Sequence, residues 1–306
     1  MASERALTEG LARLFPKGDR VLVGIGDDAA VVRNPGPTAV LCCDPVVAGV
    51  HFDPDADPRD VGRKAVNRNL SDLAAMGARP DFLLLSLVLP RGWPAASRRR
   101  LLLGIQGAAY RAGARVVGGD VAVSDGPLTV TVTAVGHPRA GILRRSGLRA
   151  GDTLHASGPL GGAALGHHLR FEPELALGEW LARPGTPVRA AIDVSDGLLL
   201  DLATMLRASD RSLGAELEAE AIPVSAAAAR LANGDAASAL RHALTDGEDH
   251  VLLFSVAKGR ELPPGGPLKR RARRPIGVVL PRPGIWLRHP DGRRERLRPE
   301  GYQHGV

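Results

Sequence analysis

Aromatic side chains are scarce in this sequence: five Phe, three Trp and two Tyr among 306 residues, or 3%. A core must then be built mainly from Val, Leu and Ala, and few rings are available for stacking on nucleobases. Cysteine is as rare. Only the adjacent Cys42 and Cys43 occur, a spacing that suits no metal site, and a reducing, cytoplasmic setting is the expectation. No apolar run approaches the roughly 18 residues that a membrane helix needs. The opening stretch MASERALTEGLARLF has no uninterrupted apolar segment and no small-residue cleavage site, which argues against a secretory signal. Acidic residues are outnumbered, 33 against 40 Lys and Arg, giving a formal charge of +7 and a pI near 10.2. Much of the excess sits in two late runs, Lys269–Arg274 and Arg293–Arg298, which contain no aromatic residue. They read as a solvated basic face, so neither a nucleic-acid nor a membrane partner is expected.

What is present points to an enzyme-sized α/β protein. A chain of 306 residues exceeds the usual single core, so two domains are expected, over residues 1–140 and 141–306. Val- and Ile-rich runs alternate with Ala- and Leu-rich stretches, the pattern of a mixed α/β (α+β) fold. Strands are predicted at Val21–Gly24, Thr38–Cys43, Phe82–Leu89, Arg115–Val117 and Leu128–Val135. Helices are predicted at Leu7–Phe15, Asp60–Met76 and Ala95–Ala112. Gly136–Gly151, with Pro138 and several Gly and Arg, reads as a linker. A second strand–helix series begins at Asp152.

Two glycine-rich segments imitate phosphate-binding loops. Gly24-Ile25-Gly26-Asp27-Asp28-Ala29 has dinucleotide-fingerprint spacing, but Pro35, Gly36 and Pro37 leave no room for the required helix, and two aspartates would repel a bare pyrophosphate. Ser157–Gly162 lies between a strand and a helix but lacks the Lys-Ser/Thr pair of a Walker motif, and reads as a structural turn.

The informative feature is a set of carboxylates just beyond apolar strands or on a polar helix face. Asp28 follows VLVGIG, Asp44 follows TAVLCC and Asp120 follows RVVGG. Asp72 falls within Asn67–Asp72, Asp193 and Asp196 frame Asp193-Val194-Ser195-Asp196-Gly197, and Glu248 and Asp249 precede VLLFSV. Ligands of α/β sheets bind beyond strand carboxyl ends, and gathered carboxylates need cations, for which Mg²⁺ with its oxygen ligands is the natural choice. Any one of these aspartates alone reads better as a cap or turn former. The clustering leads to a metal-dependent site on an α/β protein and no further.

At this point longer blocks match something specific. Gly26–Val32, Gly49-Val50-His51-Phe52, Asn69–Ala78, Gly118-Gly119-Asp120, Arg145-Ser146-Gly147, Gly151-Asp152, Ile192–Leu198, Gly247-Glu248-Asp249 and Gly301–His304 together resemble the thiamine-monophosphate kinase family, in its order and over almost the whole chain. The wider superfamily includes aminoimidazole-ribonucleotide synthetase and selenophosphate synthetase. The resemblance implies a two-domain aminoimidazole-ribonucleotide-synthetase-like fold whose N-terminal domain dimerises through its sheet, with ATP and several Mg²⁺ ions in a cleft between the domains. It implies transfer of the γ-phosphoryl group of ATP to thiamine monophosphate. By position in the motifs, Asp28, Cys43, Asp44, Asp72, Asp120, Asp193 and Asp196 are the implied metal ligands. Gly119, Asp120, Arg145 and Ser195 are the implied nucleotide contacts, and His51, Glu248 and Tyr302 the implied substrate contacts.

The chain departs from the family pattern in places. Cys43 replaces a threonine, Val121-Ala122 replaces Thr-Thr, Glu174 replaces a basic residue, and the GGEDYEL segment reads Asp246-Gly247-Glu248-Asp249-His250-Val251-Leu252. Two alternatives stay open at this level: the same chemistry on another phosphorylated acceptor, and a nucleotide-binding relative without turnover.

Overall fold

From Thr129 to Ala134 the sequence alternates Thr with Val or Ala, and in the computed structural model of the chain this stretch lies inside a sheet. The structure describes residues 10–16, 18–25, 29–34 and 36–302. The chain forms two compact units, Met1–Leu73 with Ala78–Pro138, and Ala74–Gly77 with Arg139–Val306.

The first unit contains α1 (residues 10–14), β1 (Val21–Val23), β2 (Val31–Val32), β3 (Val40–Val47), α2 (Pro58–Ala75, its last two residues counting with the second unit), β4 (Ala78–Pro90), α3 (Ala95–Ala112), β5 (Arg115–Ser124) and β6 (Thr129–Pro138). Its four-stranded sheet runs β3-β6-β4-β5, with only the β4–β5 pair parallel. On β6 the residues Val130, Val132 and Ala134 are fully buried, and Val46, Leu83, Leu85 and Leu87 join them. The intervening threonines are half-exposed, so one face packs while the other carries polar side chains.

Helix α2 lies on the packed face, where the Leu73 side chain comes up to the backbone of Gly136. Asp57 starts this helix by accepting from the Arg59 amide, with Pro58 at the first helical position. Helices α2 and α3 meet backbone to backbone. A Cβ on Gly62 would lie 2.2 Å from the Leu101 carbonyl oxygen, and one on Gly104 would lie 2.0 Å from that of Arg59. Any side chain at either place would push the helices apart and shift the aspartate that α2 carries.

The second unit contains β7 (Thr153–Ala156), α4 (His167–Arg170), α5 (Leu175–Leu181), β8 (Val188–Asp193), α6 (Leu198–Ser209), β9 (Gly214–Glu218), α7 (Ala226–Leu231), α8 (Ala236–Thr245), β10 (Leu252–Val256), β11 (Gly277–Leu280), β12 (Gly284–Arg288) and β13 (Arg294–Leu297). Its seven-stranded sheet has the order β13-β12-β9-β11-β7-β10-β8. One face packs on α6 and α8 through Leu198, Leu202, Met205 and Ala243. The other packs Leu252, Phe254 and Val256 against Trp180 and Leu181 of α5. Burial on both faces explains why β10 is apolar without alternation.

One expectation needs adjustment. The strand predicted to stop at Val117 continues to Ser124, because β4 pairs with it through Pro90. The second arginine run is mostly exposed, and within it lies the edge strand β13, where Arg294 pairs with Glu216 at 2.8 Å, beside Arg288 with Glu218. Charge on an edge strand discourages pairing with other chains. Among the described residues no helix is long and apolar enough to cross a membrane.

Candidate active site

In the first unit, β3 and α2 bring acidic groups to one place. Successive strand residues face opposite ways, so Cys42 and Asp44 point toward α2 while Cys43 points to the other face. Asn69 on α2 accepts from the Asp44 amide at 3.0 Å, and its own side-chain amide donates to the Ala65 carbonyl at 3.0 Å. The Cys42 thiol donates to the Asn69 carbonyl at 3.2 Å. Burial pushes the pKa of this thiol far up, and the charges of Asp72 and Asp44 add to the shift. Both carboxylates therefore act on one sulfur atom, with Arg68 Nε 3.9 Å from Asp44 Oδ2. Burial and both charges favour the neutral thiol over the thiolate. Cys43 is separate: its Sγ accepts from the Thr133 hydroxyl at 3.2 Å on the opposite face.

His51 follows in the turn after β3. Its Nδ1 accepts from the Val47 amide at 3.1 Å, which puts the ring proton on Nε2. The fully buried Lys64 of α2 donates to the His51 carbonyl and fixes the turn. Beside it lies a cavity of about 470 Å³ lined by Phe52, Val61, Trp93 and Leu128, with Asp55 at its wall.

Gly119 and Asp120 sit on β5, at the other edge of the sheet from β3. Three strand spacings separate these edges, about 14 Å, so this unit does not bring Asp120 beside Asp44. Gly119 has φ +146°, and a Cβ there would fall 1.8 Å from the Leu85 carbonyl oxygen. Asp28 lies outside the described residues.

The second unit gathers segments that are far apart in sequence around the turn after β8. The Glu248 amide donates to the Ser195 carbonyl at 2.7 Å, the His250 amide to Val194 at 2.8 Å, and the Tyr302 amide to Asp196 at 2.9 Å. The Asp201 carboxylate accepts from the Asp196 amide at 3.0 Å. Burial pushes Asp201 up to about 8. The charges of Asp196 and Asp193 add to this, while the bond from the Asp196 amide and the charge of Arg145 offset it. Asp193, Asp196, Asp201 and Arg145 thus share one electrostatic neighbourhood. The glycine loop at 157–162 has no amide to spare for phosphate at its end: Gly161 donates to Asp249 at 2.7 Å and Gly162 to Asp246 at 2.8 Å. It is a structural turn.

Among the described residues no three His, Cys, Asp or Glu side chains converge to hold a metal ion by themselves. Carboxylates do act in twos on a common group, Asp44 and Asp72 on the Cys42 thiol and Asp193 and Asp196 on Asp201. Such pairs fit Mg²⁺, which takes one or two carboxylates and fills its shell with waters and nucleotide phosphates.

Residues 26–137 match the family described as AIR synthase related protein, N-terminal domain. A thiamine-monophosphate kinase of Rhodopirellula baltica is 40% identical over 98% of this chain and 96% of its own length. The chain belongs to the thiamine-monophosphate kinase family. A thiamine-monophosphate kinase of Salmonella typhimurium is 38% identical, over 77% of each chain. The crystal structure of the Stenotrophomonas maltophilia thiamine-monophosphate kinase superposes with a TM-score of 0.78 at 31% identity, covering 95% of this chain and 97% of the other. AaThiL complexed with AMPPCP and TMP gives a TM-score of 0.75 at 26% identity over 99% and 97%. The fold is also that of the hydrogenase maturation protein HypE in complex with ATP, with a TM-score of 0.76 at 20% identity over 99% and 96%.

Within this thiamine-monophosphate kinase family member, some supporting residues escape a reading of motifs. Asn69 lies one helical turn before Asp72 and so shares its face, a spacing visible in the sequence. Cys42 carried a weaker signal, its strand parity with Asp44. The stacking of Phe171 on His250 had none.

Proposed function

We propose that the protein transfers the γ-phosphoryl group of ATP to the phosphate of thiamine monophosphate, giving thiamine diphosphate and ADP. The observation that carries this reading is the lacing of Ser195, Asp196, Glu248 and Tyr302 by backbone hydrogen bonds beside Arg145, in a chain 40% identical to a thiamine-monophosphate kinase over 98% of its length. AaThiL, the similar structure with AMPPCP and TMP, supports the same pair of substrates.

Donor and acceptor are both phosphate anions, so their approach is opposed by charge. Bound Mg²⁺ would neutralise that repulsion and hold the two groups in line. Several ions are needed: Asp44 and Asp72 would hold Mg²⁺ at one edge of the first unit's sheet and Asp120 at the other, Asp193 and Asp196 would do so in the second unit, and Asp28 lies outside the described region. Cys43 can contribute only through its backbone, because its thiol faces away from Asp44. In this reading the nucleotide contacts are Gly119 in the first unit and Ser195 and Arg145 in the second, Arg145 supplying a guanidinium fork for phosphate oxygens. His51 offers an Nε2–H donor, Glu248 a charge opposite to the thiazolium, and Tyr302 a flat face for a heteroaromatic ring. The acceptor phosphate oxygen is itself the nucleophile, so no side chain need be phosphorylated. In this reading the first unit works as a homodimer in the cytoplasm, joined through the outer face of its sheet. Support comes from Leu41 and Leu84, which are 65% and 40% exposed on that face.

The test is direct. Purified protein with Mg²⁺, ATP and thiamine monophosphate should form thiamine diphosphate and ADP in equal amounts, measured by chromatography. ADP formation without thiamine diphosphate would refute the assignment.

A further inference from the structure

His250 stands where the family pattern carries tyrosine, and its ring is held tightly. The side chain is 1% exposed, its Nδ1 lies 3.3 Å from Oδ2 of Asp193, and that aspartate side chain is 4% exposed. An ionised carboxylate only accepts, so Nδ1 carries the proton of this bond. Nε2 is then a buried acceptor without a hydrogen-bond partner. Three features fix the ring. The backbone is left-handed at φ +51°, the amide donates to Val194 at 2.8 Å, and the imidazole stacks on Phe171 with centroids 4.1 Å apart and planes 15° apart.

Leaving Nε2 buried and unpartnered opposes folding. A histidine that served packing alone would be replaced there by an apolar ring without loss. A tyrosine hydroxyl, at the far end of its ring, could not occupy the place of Nδ1, which is two bonds from Cβ. The bond to Asp193 is therefore specific to a short donor at this position. We propose that His250 is a positioning residue: its Nδ1–H grips one oxygen of Asp193 and fixes the orientation in which the carboxylate meets a divalent cation. The proposal rests on the reading of Asp193 as a metal ligand. Partners that orient a metal's ligands in this way are commonly worth 10- to 100-fold in metal affinity.

The test measures Mn²⁺ binding by electron paramagnetic resonance, with the full chain and a non-hydrolysable ATP analogue, alongside thermal melting. His250→Phe keeps the stacked ring and removes the donor. His250→Asn places a donor close to the position of Nδ1 and tolerates the left-handed backbone, whereas His250→Gln places its donor farther out. The expected result is about 10-fold weaker Mn²⁺ binding in His250→Phe and His250→Gln, with melting lowered by only a few degrees by the left-handed backbone. His250→Asn should stay within about 3-fold of wild type, because its donor reaches the same oxygen. Should the Phe variant fail to fold, the Asn and Gln pair decides alone, and equal Mn²⁺ affinity in those two would overturn the proposal. Wild-type affinity in His250→Phe, with weakened binding in Asp193→Asn, would overturn the positioning role only. Wild-type affinity in Asp193→Asn would overturn the metal assignment and this proposal with it.

Discussion

The Tyr302 amide donates to the carbonyl of Asp196 at 2.9 Å, which ties the last described residue to the turn that follows β8. A backbone bond of this kind places the residue beside the turn without using its phenol. Replacing Tyr302 by Ala should raise KM for thiamine monophosphate about 10-fold and change kcat little, since a stacking face contributes about 1–2 kcal/mol of binding. Steady-state kinetics at saturating ATP decide the point; an unchanged KM would remove Tyr302 from the site.

Asp72 lies on α2 and acts on the same thiol as Asp44. Asp72→Asn keeps the volume and hydrogen-bonding capacity but deletes the charge. Turnover should fall more than about 100-fold with the melting temperature nearly unchanged, because charge stabilisation carries this chemistry. Activity close to wild type would count against the proposed metal site.

Gly119 is a position where any Cβ meets backbone, 1.8 Å from the Leu85 oxygen, at φ +146°. Gly119→Ala should destabilise the protein by about 2–4 kcal/mol, since both strain and a steric clash arise. Urea denaturation gives the value, and a change below about 0.5 kcal/mol would contradict the geometry.

Asp249 is 2% exposed, and burial pushes its carboxyl up to about 7, opposed by the bond from the Gly161 amide. The folded state keeps this proton at pH values where the unfolded chain has lost it. Asp249 therefore contributes stability that is full below about pH 4 and is lost as pH rises toward 7. Asp249→Asn still accepts from Gly161 but does not titrate. Its melting temperature should fall less than that of wild type between pH 5 and 7.5; parallel curves would refute the shift.

Leu84 is 40% exposed on the outer face of the first unit's sheet. A charge in the middle of a sheet-to-sheet interface would be desolvated at high cost. Leu84→Glu should therefore convert a dimer to a monomer in light scattering without loss of helix content. A wild-type protein that is monomeric at micromolar concentration would end the dimer reading.

Much of this architecture could be read from the sequence because it rests on local physics. Alternation over Thr129–Ala134 requires a half-buried strand, and the apolar spacing over Asp60–Met76 and Ala95–Ala112 requires helices. The resemblance of Asn69–Ala78 and Ile192–Leu198 to one family identified the chemistry. Even the orientation of Cys43 away from Asp44 follows from strand parity, a rule available before any fold is known.

Other features required tertiary structure. The sequence does not show that Asp44 and Asp120 lie at opposite edges of one sheet, since strand order is set by long-range pairing. Nor does it show that Glu248 and Tyr302 fasten to the same turn, or that His250 grips Asp193. Residue types and their local spacing singled out the candidate groups for the chemistry. Only the closing of distant segments on one another decided which of those groups meet, because hydrogen bonds and charges act over a few ångströms of space whatever the separation along the chain.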